Sequence, residues 1–171
     1  MRLHFLSVLL LSACTSIVPS TVMRLNGLSP TTADPAGFAV DLTLPEGIDV
    51  QPGTAQLMFS VTRSDTNETQ AGTFTLERES SIFRVAQTDL PALRALQAMA
   101  RQWDAENNDA TEGSLGINLS PCRVGDGPAA DARVSVALRM APDGAFLPLV
   151  RNGPLSAVAS MEQIRDMGAC S

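Results

Sequence analysis

An alternation of apolar and polar residues runs through most of this chain. Phe38, Val40, Leu42 and Leu44 share one side of a pleat, with Asp41 and Thr43 on the other. Leu57, Phe59 and Val61 repeat the pattern against Gln56, Ser60 and Thr62, and Phe74 and Leu76 against Thr73, Thr75 and Glu77. It returns at Leu115, Ile117 and Leu119, and again at Val134, Val136, Leu138 and Met140. Only a strand sends successive side chains to opposite faces, so these segments are expected to be half-buried strands. Pro45-Glu46-Gly47, Pro52-Gly53 and Asp126-Gly127-Pro128 punctuate them as turns. Asp143-Gly144 predicts a hairpin joining strands near 132–141 and 145–151.

One long segment follows the helical period instead. Leu93, Leu96, Ala100 and Trp103 form a stripe, with Arg94, Gln97, Arg101 and Asp104 largely on other faces. Thr88 is the expected N-cap, Asp89 suits the first turn, and Pro91 is tolerated there. A shorter helix is expected near 161–168, with Ser160 and Gln163 spaced as a capping box and Met161, Ile164 and either Met167 or Gly168 turned inwards. About five strands, a helix, three strands and a short helix do not alternate as a parallel sheet requires. The predicted fold class is α+β: mainly antiparallel β, sandwich-like, with one long helix and a short C-terminal helix. Whether the strands stack as two sheets or form one sheet capped by helices stays open.

The first fourteen residues obey different rules. Met1-Arg2-Leu3-His4 carries one fixed positive charge, an apolar run from Phe5 to Leu10 follows, and Leu11-Ser12-Ala13-Cys14 closes the segment. A charged end, a short apolar core and small residues before a cut site are the pattern of a secretory signal. The run falls short of the roughly 20 apolar residues that a membrane-spanning helix needs. The four residues ending in Cys14 resemble the lipobox of bacterial lipoproteins, and the resemblance covers this segment alone. It implies a signal peptide over residues 1–13, a diacylglyceryl group on the Cys14 thiol and cleavage before that cysteine. Two or three acyl chains hold a protein durably, at roughly 0.8 kcal/mol per buried methylene, where one chain holds marginally. Thr15 stands where an inner-membrane retention aspartate would be, which favours the outer membrane. Residues 14–21 then form a lipidated tether, of which 15–21 span at most about 25 Å, and residues 22–171 form a single β-rich domain.

Two cysteines remain, Cys122 and Cys170. In an oxidising compartment two thiols are expected to pair, which would pin the C-terminal helix to the loop that follows Ser120.

Composition narrows the chemistry. The chain has no lysine and no tyrosine, and its one histidine, His4, would leave with the signal. Without histidine or lysine, serine–histidine and serine–lysine nucleophile systems cannot be assembled within the mature chain, nor can a zinc site of the usual His/Cys kind. The twelve cationic residues are all arginine; loss of Arg2 leaves eleven against eighteen acids, a formal charge of −7. An acidic chain with no basic cluster argues against nucleic acid. Asp104, Glu106, Asn108, Asp109 and Glu112 gather oxygen atoms in one stretch, but without the spacing of a calcium-binding loop, and are expected to be a solvated loop. Trp103 belongs to the helix stripe and is expected in the core.

These readings converge on a non-enzymatic envelope lipoprotein with no cofactor. It would meet the membrane through its lipid and bind or support another envelope protein. The alternative is a carrier or sensor of a small apolar ligand held between sheet and helix.

Overall fold

The computed structural model describes residues 30–171. The signal segment, Cys14 and the tether lie outside them. Nine strands and two α-helices follow one another as β1 (Phe38–Thr43), β2 (Ile48–Val50), β3 (Gln56–Arg63), β4 (Glu68–Glu79), β5 (Ile82–Val85), α1 (Leu90–Glu106), β6 (Thr111–Asn118), β7 (Pro121–Arg123), β8 (Arg133–Met140), β9 (Leu147–Pro154) and α2 (Met161–Arg165). The class is α+β and antiparallel, as the alternation predicts.

Seven strands make one sheet in the order β6-β3-β4-β5-β1-β8-β9, and β2 pairs with β7 as a separate ribbon. Three strands separate β6 from β1 in that order. Nevertheless Leu115 and Ile117 of β6 line the same small cavity as Val40 of β1 and Leu138 of β8. The sheet therefore curls until its ends approach each other across the interior. The sandwich-like arrangement is realised in this way, as one curled sheet whose two halves face each other.

The period-two residues fill that interior. Leu57, Phe59 and Val61 are nearly sealed from solvent, as are Phe74, Leu76, Phe83 and Val134. Each such side chain contributes roughly 1.5–3 kcal/mol relative to an exposed one. Helix α1 packs against β4, β3 and β6. Leu93 and Ala100 are fully buried on it, while Leu96 and Trp103 are half-buried against the same core. A Cβ on Gly72 would stand 2.6 Å from the Phe74 ring and 3.3 Å from Leu96, so the absent side chain is what lets the helix lie this close to β4.

Three local details differ from the sequence expectation. Asp89, rather than Thr88, occupies the N-cap of α1, and its carboxylate accepts from the Thr75 amide of β4 at 2.6 Å instead of capping its own helix. Gln97, assigned to a polar face, is 2 % exposed. In α2 the Ser160–Gln163 capping box forms, but Met161 is 67 % exposed. The helix stops at Arg165, so its five residues make little more than one turn; Ile164 is its inward residue, and Met167 is buried just beyond its end.

Candidate functional site

Segment 30–34 lies along α1. Gln97 Nε2 donates to the Pro30 carbonyl at 2.6 Å and to the Ala33 carbonyl at 3.0 Å. Arg101 donates to the Thr31 carbonyl, and Arg94 pairs with Asp34 at 3.0 Å. These donors recur at helical spacing, so one face of α1 holds the strap that leads into the domain. The Asp34 carboxyl sits below its ordinary pKa because the Ala36 amide and Arg94 both donate to it. A Cβ on Gly113 of β6 would lie 3.8 Å from Thr31, which places the strap beside that edge strand.

At the C-terminal end of α1, Asp104, Glu106 and Asn108 of the acidic stretch are bonded to their own neighbours. Arg63 pairs with Asp65 and Glu106, and Asn107 donates to Asp65 at 2.9 Å. Those bonds, from Arg63 first and Asn107 second, lower the Asp65 pKa to about 2. Glu106 is lowered by Gln102 and then Arg63. Asn108 donates to Asp104 at 2.6 Å. Among the described residues no three His, Cys, Asp or Glu side chains converge as a metal site. The stretch thus closes α1 onto the β3–β4 hairpin.

The two sequence-predicted cysteines meet: Cys122 of β7 and Cys170 form a disulfide with their Cα atoms 4.8 Å apart. Gly168 O accepts from Arg123 N at 2.7 Å, and Cys170 N donates to Arg123 O at 3.0 Å. The chain after α2 is therefore laid against β7 as a short parallel addition, with the sulfur bridge locking it. Gln51 reaches Ser171 from the other side.

Beside this lock lies an open groove of about 480 Å³. One wall is the β2 end and the loop Gln51–Ala55, the other is the edge of β4 from Thr75 to Arg78, and Cys170 closes one end. Ala55, Leu76 and Phe83 supply buried apolar surface. Arg78 lies 5.4 Å over the Phe83 ring, pairs with Asp49, and donates to the Ser80 carbonyl at 2.7 Å. Burial pushes the Asp49 carboxyl up, but the Arg78 and Val50 donors outweigh it and leave the pKa lowered. Glu77 is exposed on the neighbouring position. The volume falls in the range of small-ligand sites, roughly 300–1,000 Å³. Sequence reasoning missed this groove, since its two walls are twenty or more positions apart with no motif between them.

The interior of the curl offers less. Its apolar cavity measures about 30 Å³, on the order of one to two water-sized probes. Trp103 is half-buried against the core and lines neither the cavity nor the groove. No family model, no curated protein and no solved structure matches this chain.

Proposed function

We propose that the mature chain is a lipid-anchored, periplasm-facing domain of the bacterial envelope with a non-catalytic binding or structural role. The observation that supports it is the division of labour among three cysteines. Cys14 stands in a lipobox-like sequence, and the other two are bonded to each other, as in an oxidising compartment. The mature sequence also lacks histidine, lysine and tyrosine, which leaves carboxylates and hydroxyls as its available acid–base groups.

Within this reading, surface recognition is better supported than carriage of a buried apolar ligand. A cargo inside the curl would need hundreds of cubic ångströms, whereas the apolar cavity there holds about 30 Å³ and is lined by strand residues with none from α1. The groove beside Arg78 is open and partly polar instead.

The test is metabolic labelling with a palmitate analogue in a bacterial host, together with membrane fractionation. Wild type should take up label and sediment with the outer membrane, and Cys14→Ser should lose the label and stay unprocessed. Equal labelling of the two would sink the anchor.

A further inference from the structure

We propose that the groove beside Arg78 binds an extended polypeptide segment by main-chain pairing, which deepens the binding role proposed above and names its partner class. The polarity of the β4 backbone carries the argument. Thr75 O accepts from Ala86 N, so the odd positions of this stretch point their peptide groups towards β5. Leu76 N donates to Ala55 O on the opposite side. In an antiparallel ladder these directions alternate, so the N–H and C=O of Arg78 also point away from β5 and into the groove. The ladder between β3 and β4 stops at Gln56–Thr75, and the chain before Ala55 turns away through a bond from Thr54 N to Gln51 O. Arg78 therefore presents a donor and an acceptor at the spacing a further strand would use, inside a groove of peptide-sized volume.

The same register dictates the side chains. A residue paired with Arg78 would point to the inner face, where Leu76 and Ala55 line the groove. The Arg78 guanidinium lies over Phe83 and is held by Asp49 and the Ser80 carbonyl, so the paired side chain meets the aliphatic stem of Arg78 rather than the ring. The two flanking residues would point to the outer face, beside exposed Glu77, which stands opposite Arg84 in the β4–β5 register and makes no ion pair among the described residues, Arg84 pairing with Glu79 instead. With Asp49, Glu77 and Arg78 around it, the groove is net acidic. The occupant is thus an extended segment with an aliphatic residue flanked by basic ones.

The groove also lies far from the point where the chain enters the domain. Thr31 sits by Gly113, which is in register with Val61 of β3. The groove begins past Gln56 at the other end of that strand. Five residues of strand separate the two levels by roughly 17 Å.

The probe is an acetylated, amidated pentapeptide, alanine-arginine-leucine-arginine-alanine, titrated into the full chain carrying Cys14→Ser in detergent and followed by amide NMR. Shifts centred on 75–79 and 51–55, with slowed exchange of the Arg78 amide, are expected. N-methylation of the leucine nitrogen removes the donor to the Arg78 carbonyl and should weaken binding at least tenfold. Glu77→Arg should weaken it at least fivefold. If that variant does not fold, the same loss read in 0.5 M salt with wild type replaces it. No shifts at millimolar peptide, shifts elsewhere, or equal affinity of the N-methylated peptide would overturn the proposal. Because Cys14 is absent from the titrated chain, failure here leaves the anchor reading untouched, and failure of acylation leaves this one untouched.

Discussion

Gln97 Nε2 donates to the carbonyl of Ala33 at 3.0 Å across 64 positions of sequence, from a side chain that is 2 % exposed. The same nitrogen serves the Pro30 carbonyl, so one amide satisfies two acceptors of the entering strap. Replacing it with leucine keeps the volume and removes both bonds. A buried acceptor left alone costs roughly 1–3 kcal/mol. Urea unfolding of Gln97→Leu should lose stability on that scale, and the amides of residues 31–34 should exchange faster than those of β3. An unchanged midpoint would show that the strap contributes nothing to folding.

Removing the sulfur bridge releases a loop of 48 residues. Chain entropy assigns about 4 kcal/mol to a loop of that length. The double variant Cys122→Ser/Cys170→Ser is expected to unfold at lower denaturant by that order, and intact-mass analysis of wild type without reductant should find the protein two protons light. Both thiols reacting freely with an alkylating agent would refute the pairing.

Acid should weaken the closure of α1 onto the β3–β4 hairpin. The folded pKa of Asp65, about 2, lies below its ordinary value of 3.8. The contribution is therefore fully present above pH 3.8 and is lost as pH falls through 2. Wild type should lose stability over that window, and Asp65→Asn should flatten the loss while lowering stability at neutral pH by a modest amount, as these groups are solvent-exposed. Identical acid profiles for the two proteins would assign the effect elsewhere.

Gly47 has φ +86°, and a Cβ there would run into the Gly127 carbonyl. Alanine at this position faces both backbone strain and overlap, so Gly47→Ala should cost roughly 1–3 kcal/mol. The loss should be concentrated in the β2–β7 ribbon, with faster exchange at Asp49 and Cys122. By contrast, Gly53→Ala meets open space at φ +74° and should cost roughly 1–2 kcal/mol, from backbone strain alone.

How much of this was legible from the residues depends on how local each cause is. The long strands and α1 announce themselves because burial of one face imposes a period over many positions. The β2–β7 ribbon does not, since three residues per strand cannot establish a period. Pairing of Cys122 with Cys170 follows from counting only when Cys14 is set aside for its lipobox-like setting. Gln97 defied its helical wheel because its partner is a strap rather than a sheet, and Asp89 left its own helix unsatisfied by the side chain in favour of Thr75, a choice made by tertiary packing. The groove is less legible still. It exists because β3 ends its pairing with β4 at Thr75 while β4 runs on to Glu79, and a ladder's length is a property of two segments together.

The strap on α1 also has a mechanical meaning. A pull applied through residue 30 reaches the bonds to Arg101, Gln97 and Arg94 before it reaches any strand. If they give way, residues 30–34 can straighten to at most about 17 Å end to end, while the sheet and its sulfur bridge stay whole. A load drawn through residue 30 would thus be taken up first by three side chains of one helix face and only afterwards by the sheet.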